Sequence, residues 1–328
     1  MKRRAFITLL GGAAAAWPLT ARAQQRTMPL VGFLHQGSAY PTGEYDTAAL
    51  RRGLNKAGYL VGQNVEITYS WADNRLDRLP ELAADLVRRK VSLIAATFSL
   101  AAAAAKAATS EIPIVFFTGT DPVRDGLVIN FNRPGANVTG IAITNVLLGA
   151  KRVGLLRDLV PAAKTVALLI NLTNRLVSEN YIDATQTAAR SAGLTLVILP
   201  ASSEHEIDNC FGTMVAQRIG ALIVAPDSYL DTRQHQIVAL AARHSIPAIY
   251  SRREIVMAGG LASYAPDFAA GYREAGQYAG RILKGEKAGD LPVVQASKFE
   301  LLLNLKTAKA LDLTIPPDVL SIADDVIE

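Results

Sequence analysis

Short apolar runs alternate with amphipathic helical segments along most of this chain, and this alternation restricts the folds that it can adopt. Continuous apolar runs, which are typical of strands buried on both faces, occupy residues 92–96, 113–117 and 138–143. Helical patterns separate such runs, and in residues 79–87 the apolar side chains recur at i, i+3, i+4 and i+7. Because stacked β-α-β units form parallel sheets, we expect an α/β fold.

The same rhythm restarts after Thr144, which predicts a second lobe of similar design. A helix is expected at 147–159, and it is followed by predicted strands at 166–170, 195–199, 221–224 and 248–250. Helices in the two halves end alike before a strand, at Ala57-Gly58 and at Ala192-Gly193. The length also favours two domains.

The N-terminal segment has the layout of a cleaved signal peptide. Lys2, Arg3 and Arg4 precede an apolar stretch at 5–17, and an A-x-A cleavage pattern ends at Ala23. The apolar stretch is too short and too interrupted by glycine to span a bilayer, and a buried N-terminal helix is the alternative interpretation. The paired arginines favour twin-arginine export, with the general secretory route as the alternative. We expect a soluble periplasmic protein.

Removing this segment changes the charge of the chain. Cleavage takes four of the 34 basic residues and none of the 29 acidic ones, so the mature chain carries a net charge near +1. This removes the charge-based case for a nucleic-acid partner. The single cysteine, Cys210, leaves no partner for an intrachain disulfide, so stability has to come from apolar cores.

Several segments carry a resemblance to a known family. The most specific are Asn-Arg-Pro-Gly-Ala-Asn-Val-Thr-Gly at 132–140 and Asn-Leu-Lys-Thr-Ala-Lys-Ala at 304–310. Supporting matches lie at 31–35, 57–65 and 121–123. Together they span nearly the whole mature chain. The sequence resembles the ABC transporter substrate-binding protein family of the type I periplasmic binding-protein fold, in the branch that includes tryptophan- and tyrosine-type binders.

The resemblance implies an architecture and a role. It implies two Rossmann-like lobes with parallel sheets, joined by a three-strand hinge with crossovers near 143–144, 264–265 and 297–298. The expected lobes comprise residues 27–143 with 265–297, and residues 144–264 with 298–328. The implied function is periplasmic capture of a small organic solute, an amino acid or an aromatic acid, for an ABC-type importer. The expected partners are the membrane permease subunits, and the protein is expected to be a monomer.

Candidate ligand-binding residues follow the predicted strands. Ligands of open α/β sheets bind outside the carboxyl ends of the strands, where loops and helix N-termini converge. Neutral hydrogen-bonding groups and aromatic rings dominate these positions. The candidates are Gln36, Ser38, Thr97, Phe98, Ser99, Thr118, Thr120, Asp121, Asn145, Asn171, Asn174, Asp227, Tyr250 and Tyr264.

Relatives that bind amino acids anchor the carboxylate on the first lobe, and the matching positions are Ser99 and 118–120. Asn171, Asn174 or Asp227 would then bind the other end of the solute. Local alternatives stay open for these residues. Ser99 and the two asparagines are also suited to helix capping, Asp121 before a proline to a turn, and Tyr250 to packing.

Nothing in the sequence favours catalysis. The histidines show no metal-ligand spacing, and there is no G-x-S-x-G nucleophile motif. We expect no enzyme activity, no cofactor and no metal. Two other functions are compatible with the sequence: a periplasmic enzyme exported by the twin-arginine route, and a ligand sensor for a membrane kinase.

Overall fold

The structure is a computed structural model that describes residues 28–143, 148–173, 175–296 and 298–328. The predicted signal peptide and the candidates Asn145 and Asn174 lie outside the described residues.

A first parallel sheet is built by the N-terminal third of the described chain. Its elements are β1 (Leu30–His35), α1 (Glu44–Lys56), β2 (Glu66–Trp71), α2 (Leu79–Arg88), β3 (Leu93–Thr97), α3 (Ser99–Ala108), β4 (Ile114–Thr118) and β5 (Val138–Ala142). Within the described residues the sheet has six strands in the order β11-β5-β4-β3-β1-β2, where β11 comes from a later return of the chain. This sheet and the helices packed on it form the first lobe.

A second sheet follows in the chain. Its elements begin with α4 (Leu148–Leu159), β6 (Thr165–Ile170), α5 (Arg175–Ser191), β7 (Thr195–Pro200), α6 (Glu204–Ala216) and β8 (Ala221–Val224). They continue with α7 (Ser228–Thr232), α8 (Gln234–Arg243), β9 (Ala248–Tyr250), α9 (Arg253–Met257) and β10 (Ala262–Pro266). The described strands have the order β13-β12-β10-β9-β8-β6-β7. This sheet and its helices form the second lobe.

The C-terminal part of the chain completes both lobes. Helix α10 (Phe268–Leu283) packs along α1, and β11 (Val294–Gln295) pairs with β5 of the first sheet. The chain then returns to the second sheet with β12 (Phe299–Asn304), α11 (Leu305–Ala310), α12 (Pro317–Ser321) and β13 (Asp325–Ile327). Strand β12 runs antiparallel to β10, whereas the other described pairs of both sheets are parallel.

The cores explain why these segments form these elements. Every residue of β3 and β4 is buried, as their continuous apolar sequences require. Helices α1 and α10 cover one face of the first sheet, and α2 and α3 cover the other. In the second lobe α4 and α5 cover one face, and α6, α8 and α9 cover the other. The predicted α/β fold with parallel sheets is confirmed. Across the described ranges, no helix has the length and apolarity needed to cross a bilayer.

Candidate ligand-binding site

A cavity lies where the carboxyl ends of strands from both sheets face each other. Residues at the ends of β1, β3, β4 and β5 and the start of α10 contribute one wall, and residues that follow β8 and β9 contribute the other. The lining residues are Gln36, Phe98, Ser99, Phe117, Gly119, Thr120, Ile143, Pro226, Asp227, Ser228, Asp231, Ser251 and Phe268. The space open to the centre of a water molecule is about 40 Å³. This is room for only a few waters.

Three hydroxyl groups meet on the first-lobe wall. Ser99 Oγ lies 2.5 Å from both Thr118 Oγ1 and Thr120 Oγ1, which are themselves 2.9 Å apart. Thr120 in turn donates its hydroxyl hydrogen to the Asp125 carboxylate. Ser99 begins the helix after β3, Thr118 is the last residue of β4 and Thr120 follows it, and the parallel pairing of β3 with β4 brings their carboxyl ends together. The predicted juxtaposition of Ser99 with 118–120 is therefore present in the structure.

The hydrogen count of this cluster decides which hydroxyl can serve a ligand. Because Thr120 donates to Asp125, only the hydrogens of Ser99 and Thr118 remain for the three contacts among the hydroxyls. Thr118 is fully buried, whereas Ser99 lines the cavity. Ser99 can turn its hydrogen toward the cavity at the cost of one internal hydrogen bond. We therefore interpret Ser99 as the donor and Thr120 as the residue that orients it.

The N-terminus of α3 adds backbone donors to the same wall. The residue before it, Phe98, has φ of 70°, a left-handed conformation that bulky residues rarely adopt. No side chain caps this N-terminus, so Ser99 occupies the first helical turn and is not the cap. The first-turn N–H groups of an α-helix lack intrahelical acceptors and carry the positive end of the dipole. This wall favours an anion.

The second-lobe wall is acidic. Asp227 caps α7 by accepting hydrogen bonds from the N–H groups of Tyr229 and Leu230, and it also accepts one from the Asn171 amide. Burial raises its pKa in spite of these hydrogen bonds. Asp231 is 4% exposed, and its Oδ1 has no hydrogen-bond partner among the described residues.

Burial also raises the pKa of the Asp231 carboxyl, to about 7. The charge of Arg252 opposes this rise, and the charges of Asp227, Asp46 and Glu254 add to it. A buried carboxylate with a free oxygen is costly unless a positive group meets it. This wall therefore favours a cation.

Three aromatic rings also line the cavity. Phe98, Phe117 and Phe268 line the cavity, and the Phe117 and Phe268 rings lie 5.8 Å apart between centroids. Such a lining suits a planar apolar group held between two polar ends.

Two buried polar contacts join the lobes beside the cavity. Gln36 Nε2 donates to Ser228 Oγ at 3.0 Å, and Gln36 Oε1 has no described partner. The Arg252 guanidinium binds the Asp46 carboxylate, with Nη2 and Oδ1 2.6 Å apart. At the rim, the rings of Tyr40 and His235 stack across the gap.

The other candidates among the described residues lie outside the cavity lining. Asp121 is exposed, and its carboxylate accepts hydrogen bonds from the N–H groups of the turn that follows it. Thr97 is buried against the carbonyl of Leu34. Tyr250 belongs to the core of the second lobe. The Tyr264 ring stacks on Phe299, and Ser38 precedes the turn at Ala39–Gly43. Of the fourteen predicted residues, the cavity lining includes Gln36, Phe98, Ser99, Thr120 and Asp227.

Several residues of the cavity were not predicted. Asp231 follows Asp227 by one helical turn, and this i, i+4 spacing is a signal that could have identified it. Ser251 directly follows the predicted strand at 248–250, and Phe268 begins helix α10. Beside the cavity, Asp46 and Arg252 carry no local signal, because their pairing spans 206 residues. No group of His, Cys, Asp and Glu side chains in the described chain has a metal-binding arrangement.

Comparison with known proteins gives consistent matches. Residues 43–327 match the family of ABC transporter substrate binding proteins. A tyrosine-binding protein from Clostridioides difficile (strain R20291) is 30% identical over 262 residues, which cover 80% of this chain and 75% of that protein.

Two solved structures are similar to this chain at comparable sequence identity. The ABC domain from Streptococcus pneumoniae in complex with L-Trp is 27% identical, with a TM-score of 0.81. The ligand-free, open structure of a substrate-binding protein with adhesive properties from Clostridium difficile is 26% identical, with a TM-score of 0.64. Each match covers 91% of this chain and 99% of the other.

Proposed function

The chain belongs to the ABC transporter substrate-binding protein family, and from that membership we propose that its cavity takes an aromatic amino acid, with an aromatic acid as the alternative. The family is non-catalytic, and its members are the solute-binding proteins of ABC transporters. The observation that carries the proposal is the opposite polarity of the two cavity walls, together with the aromatic rings in the lining.

The first-lobe wall is the proposed carboxylate site. Ser99 donates its hydroxyl, and the first turn of α3 supplies backbone N–H groups and the positive end of the helix dipole. Neutral donors of this kind stabilise an anion without burying a second full charge that would need its own partner. Thr120 and Thr118 hold the Ser99 hydroxyl in place.

The second-lobe wall is the proposed ammonium site. Asp231 offers a buried carboxylate oxygen without a partner, and Gln36 offers a buried amide oxygen in the same condition. An α-ammonium group has three donors, which suits acceptors converging from two sides. An aromatic acid without an amine would leave this wall unneutralised, and for this reason the amino acid is preferred.

Sequence relatives support an aromatic side chain. The similar proteins named above are described as binding tyrosine or as being in complex with L-Trp. In this chain, Phe98, Phe117 and Phe268 would contact the ring of the solute.

The binding cleft implies a hinge. We propose that residues 27–143 with 265–297 and residues 144–264 with 298–328 move as two lobes about the three crossovers. The two structures match with equal coverage and with 27% and 26% identity, yet the higher TM-score is to the L-Trp complex and the lower one to the open, ligand-free structure. This difference supports a closed arrangement of the lobes in the described structure.

A thermal-shift screen tests the proposed ligand class. Mature protein is heated with single amino acids, aromatic acids or purines, and a ligand that binds only the folded state raises the Tm. We expect L-tyrosine or L-tryptophan to give the largest shift. A shift only with purines, or with acids that lack an amine, would contradict the proposal.

We also propose export to the periplasm with cleavage after Ala23. The support is the basic, apolar and A-x-A layout of residues 1–23. N-terminal sequencing of periplasmic protein should begin at Gln24, and Arg3→Lys with Arg4→Lys should block export. An intact N-terminus on periplasmic protein would contradict this. In the periplasm, the proposed partners are the membrane permease subunits of the transporter, to which the protein would deliver its solute as a monomer.

A further inference from the structure

A buried ion pair joins the two lobes next to the cavity. Asp46 lies on α1 of the first lobe and is 2% exposed, whereas Arg252 follows β9 of the second lobe and is 1% exposed. Arg252 Nη2 lies 2.6 Å from Asp46 Oδ1, and Nη1 lies 3.5 Å from Oδ2. Neither residue is among the described residues that line the cavity.

The surroundings of the pair show that Arg252 enters the first lobe. Its guanidinium carbon lies 4.3 Å from the ring centroid of Phe268, which belongs to the core of the first lobe. His35, also on the first lobe, has its Nε2 3.7 Å from Asp46 Oδ2. The Nδ1 atom of His35 accepts the N–H of Gly37, so Nε2 carries the hydrogen in the neutral ring.

Arg252 also has carboxylate neighbours on its own lobe. Glu254 Oε2 lies 3.3 Å from its Nε, and Asp231 Oδ2 lies 3.8 Å from its Nη1. When the lobes part, Arg252 keeps these neighbours, but Asp46 loses the guanidinium. Asp46 is therefore the member of the cluster whose ion pairing depends on closure.

We propose that the Asp46–Arg252 ion pair is a latch that closes the two lobes, so that part of the affinity for the solute comes from two residues that do not touch it. A ligand drives closure only through its greater affinity for the closed state than for the open state. An ion pair that forms between the lobes on closure itself favours the closed state, so a smaller difference in ligand affinity is enough to close the protein. The pair is shielded from water, so salt screens it less than a surface pair.

The test uses Asp46→Asn, which keeps the size of the side chain and removes its charge. Small-angle X-ray scattering of the ligand-free mature protein should give a larger radius of gyration for Asp46→Asn than for wild type. Titration with L-tyrosine and L-tryptophan should show affinity at least about tenfold weaker. The matched control is Glu254→Gln, which removes a carboxylate from the same arginine without crossing the cleft, and it should leave the radius of gyration at the wild-type value.

The scattering readout needs no ligand, so it stands even if the proposed amino acids fail to bind. An unchanged radius of gyration in Asp46→Asn would overturn the latch, and so would equal opening in Glu254→Gln. Loss of the folded state in Asp46→Asn, judged by circular dichroism, would also overturn it, because a contact made on closure is not required for the lobes to fold.

Discussion

Ser99 and Asp231 lie on opposite walls of the cavity, and their surroundings suit opposite charges. Ser99 stands in the uncapped first turn of α3, where the helix dipole favours an anion. Asp231 is buried beside three other carboxylates with one arginine among them. At the scale of single residues, the cavity is therefore polarised along the direction that joins the two lobes, as a zwitterionic solute requires.

The first prediction concerns the carboxylate donor. Ser99→Ala should weaken binding of L-tyrosine or L-tryptophan by about tenfold to a hundredfold, because a hydrogen bond to a charged group contributes about 1.5–3 kcal/mol. Thr120→Val should weaken binding as well, because the Ser99 hydroxyl loses the residue that orients it. Calorimetric titration measures this. The exposed helical serine variant Ser191→Ala is the control and should bind as wild type does. If both cavity variants bind as tightly as wild type, the carboxylate is held elsewhere.

The second prediction concerns the pH dependence of stability. The pKa of Asp231 is raised to about 7 from an unfolded value of 3.8, so the native state keeps a proton that the unfolded chain releases between these values. This carboxyl group therefore lowers the free energy of unfolding progressively as pH rises from about 4 to about 7. Below that window it has no effect, and above it the full penalty is present.

Asp231→Asn should remove this penalty while harming function. Its Tm should exceed that of wild type at pH 8 and match it near pH 4, and its affinity for L-tyrosine at pH 8 should fall. Thermal denaturation at both pH values and titration at pH 8 measure the two effects. A variant that is less stable than wild type at pH 8 would show that Asp231 is needed for the fold, contrary to its proposed role.

The sequence predicted the hydroxyl cluster and Asp227 of the acidic wall, but not Asp231 or the latch. Ser99 and Thr118 follow two consecutive strands, and the pairing of those strands brings the two residues together. Asp231 lies inside a helical segment, where a carboxylate is usually exposed. Asp46 and Arg252 meet only because the lobes meet, and no local pattern encodes that contact.

At the scale of elements, the closest helix packing in the first lobe depends on two glycines. A Cβ at Gly53 of α1 would lie 2.8 Å from the Cα of Gly276 on α10, and it would also overlap the carbonyl oxygen of Arg273. The obstacle is backbone, which cannot rotate away as a side chain can. This contact places α10, and with it Phe268, against the cavity.

Gly53→Ala should therefore destabilise the protein despite the better helix propensity of alanine. We expect a loss of about 1–3 kcal/mol from overpacking, seen as a Tm lower by several degrees. Gly212→Ala on the exposed side of α6 is the control, since its Cβ meets nothing within 4 Å. That control should gain up to about 1 kcal/mol. Equal or higher stability of Gly53→Ala would contradict the observed helix contact.

Most elements could be predicted from the sequence because their apolar periodicity matches their burial. The strands β3 and β4 lie within one residue of their predicted bounds, since both are fully buried apolar runs. Strands β10 and β13 were not predicted. Strand β10, Ala-Ser-Tyr-Ala-Pro, mixes polar with apolar residues, and β13 is a three-residue edge strand. Such strands form because a neighbouring strand is already in place.

At the scale of the whole molecule, the two lobes form a single binding device. The restarting β-α rhythm predicted two similar lobes, but it holds no information on how closely they approach. That approach is decided by contacts such as Gln36 with Ser228 and Asp46 with Arg252. The small cavity and the buried ion pair both depend on this close approach of the lobes.

Calorimetric titration of the mature protein with L-tyrosine, L-tryptophan and their singly charged analogues tests whether the two cavity walls bind opposite charges of the solute. L-tyrosine or L-tryptophan should bind with one molecule per chain. The analogue that lacks the carboxylate and the analogue that lacks the ammonium group should each bind at least about tenfold more weakly. This result is expected because each end of the cavity neutralises one charge of the solute. Failure of both amino acids to bind, or equal affinity for the analogues that lack the carboxylate or the amine, would contradict the proposed binding of a zwitterionic aromatic amino acid.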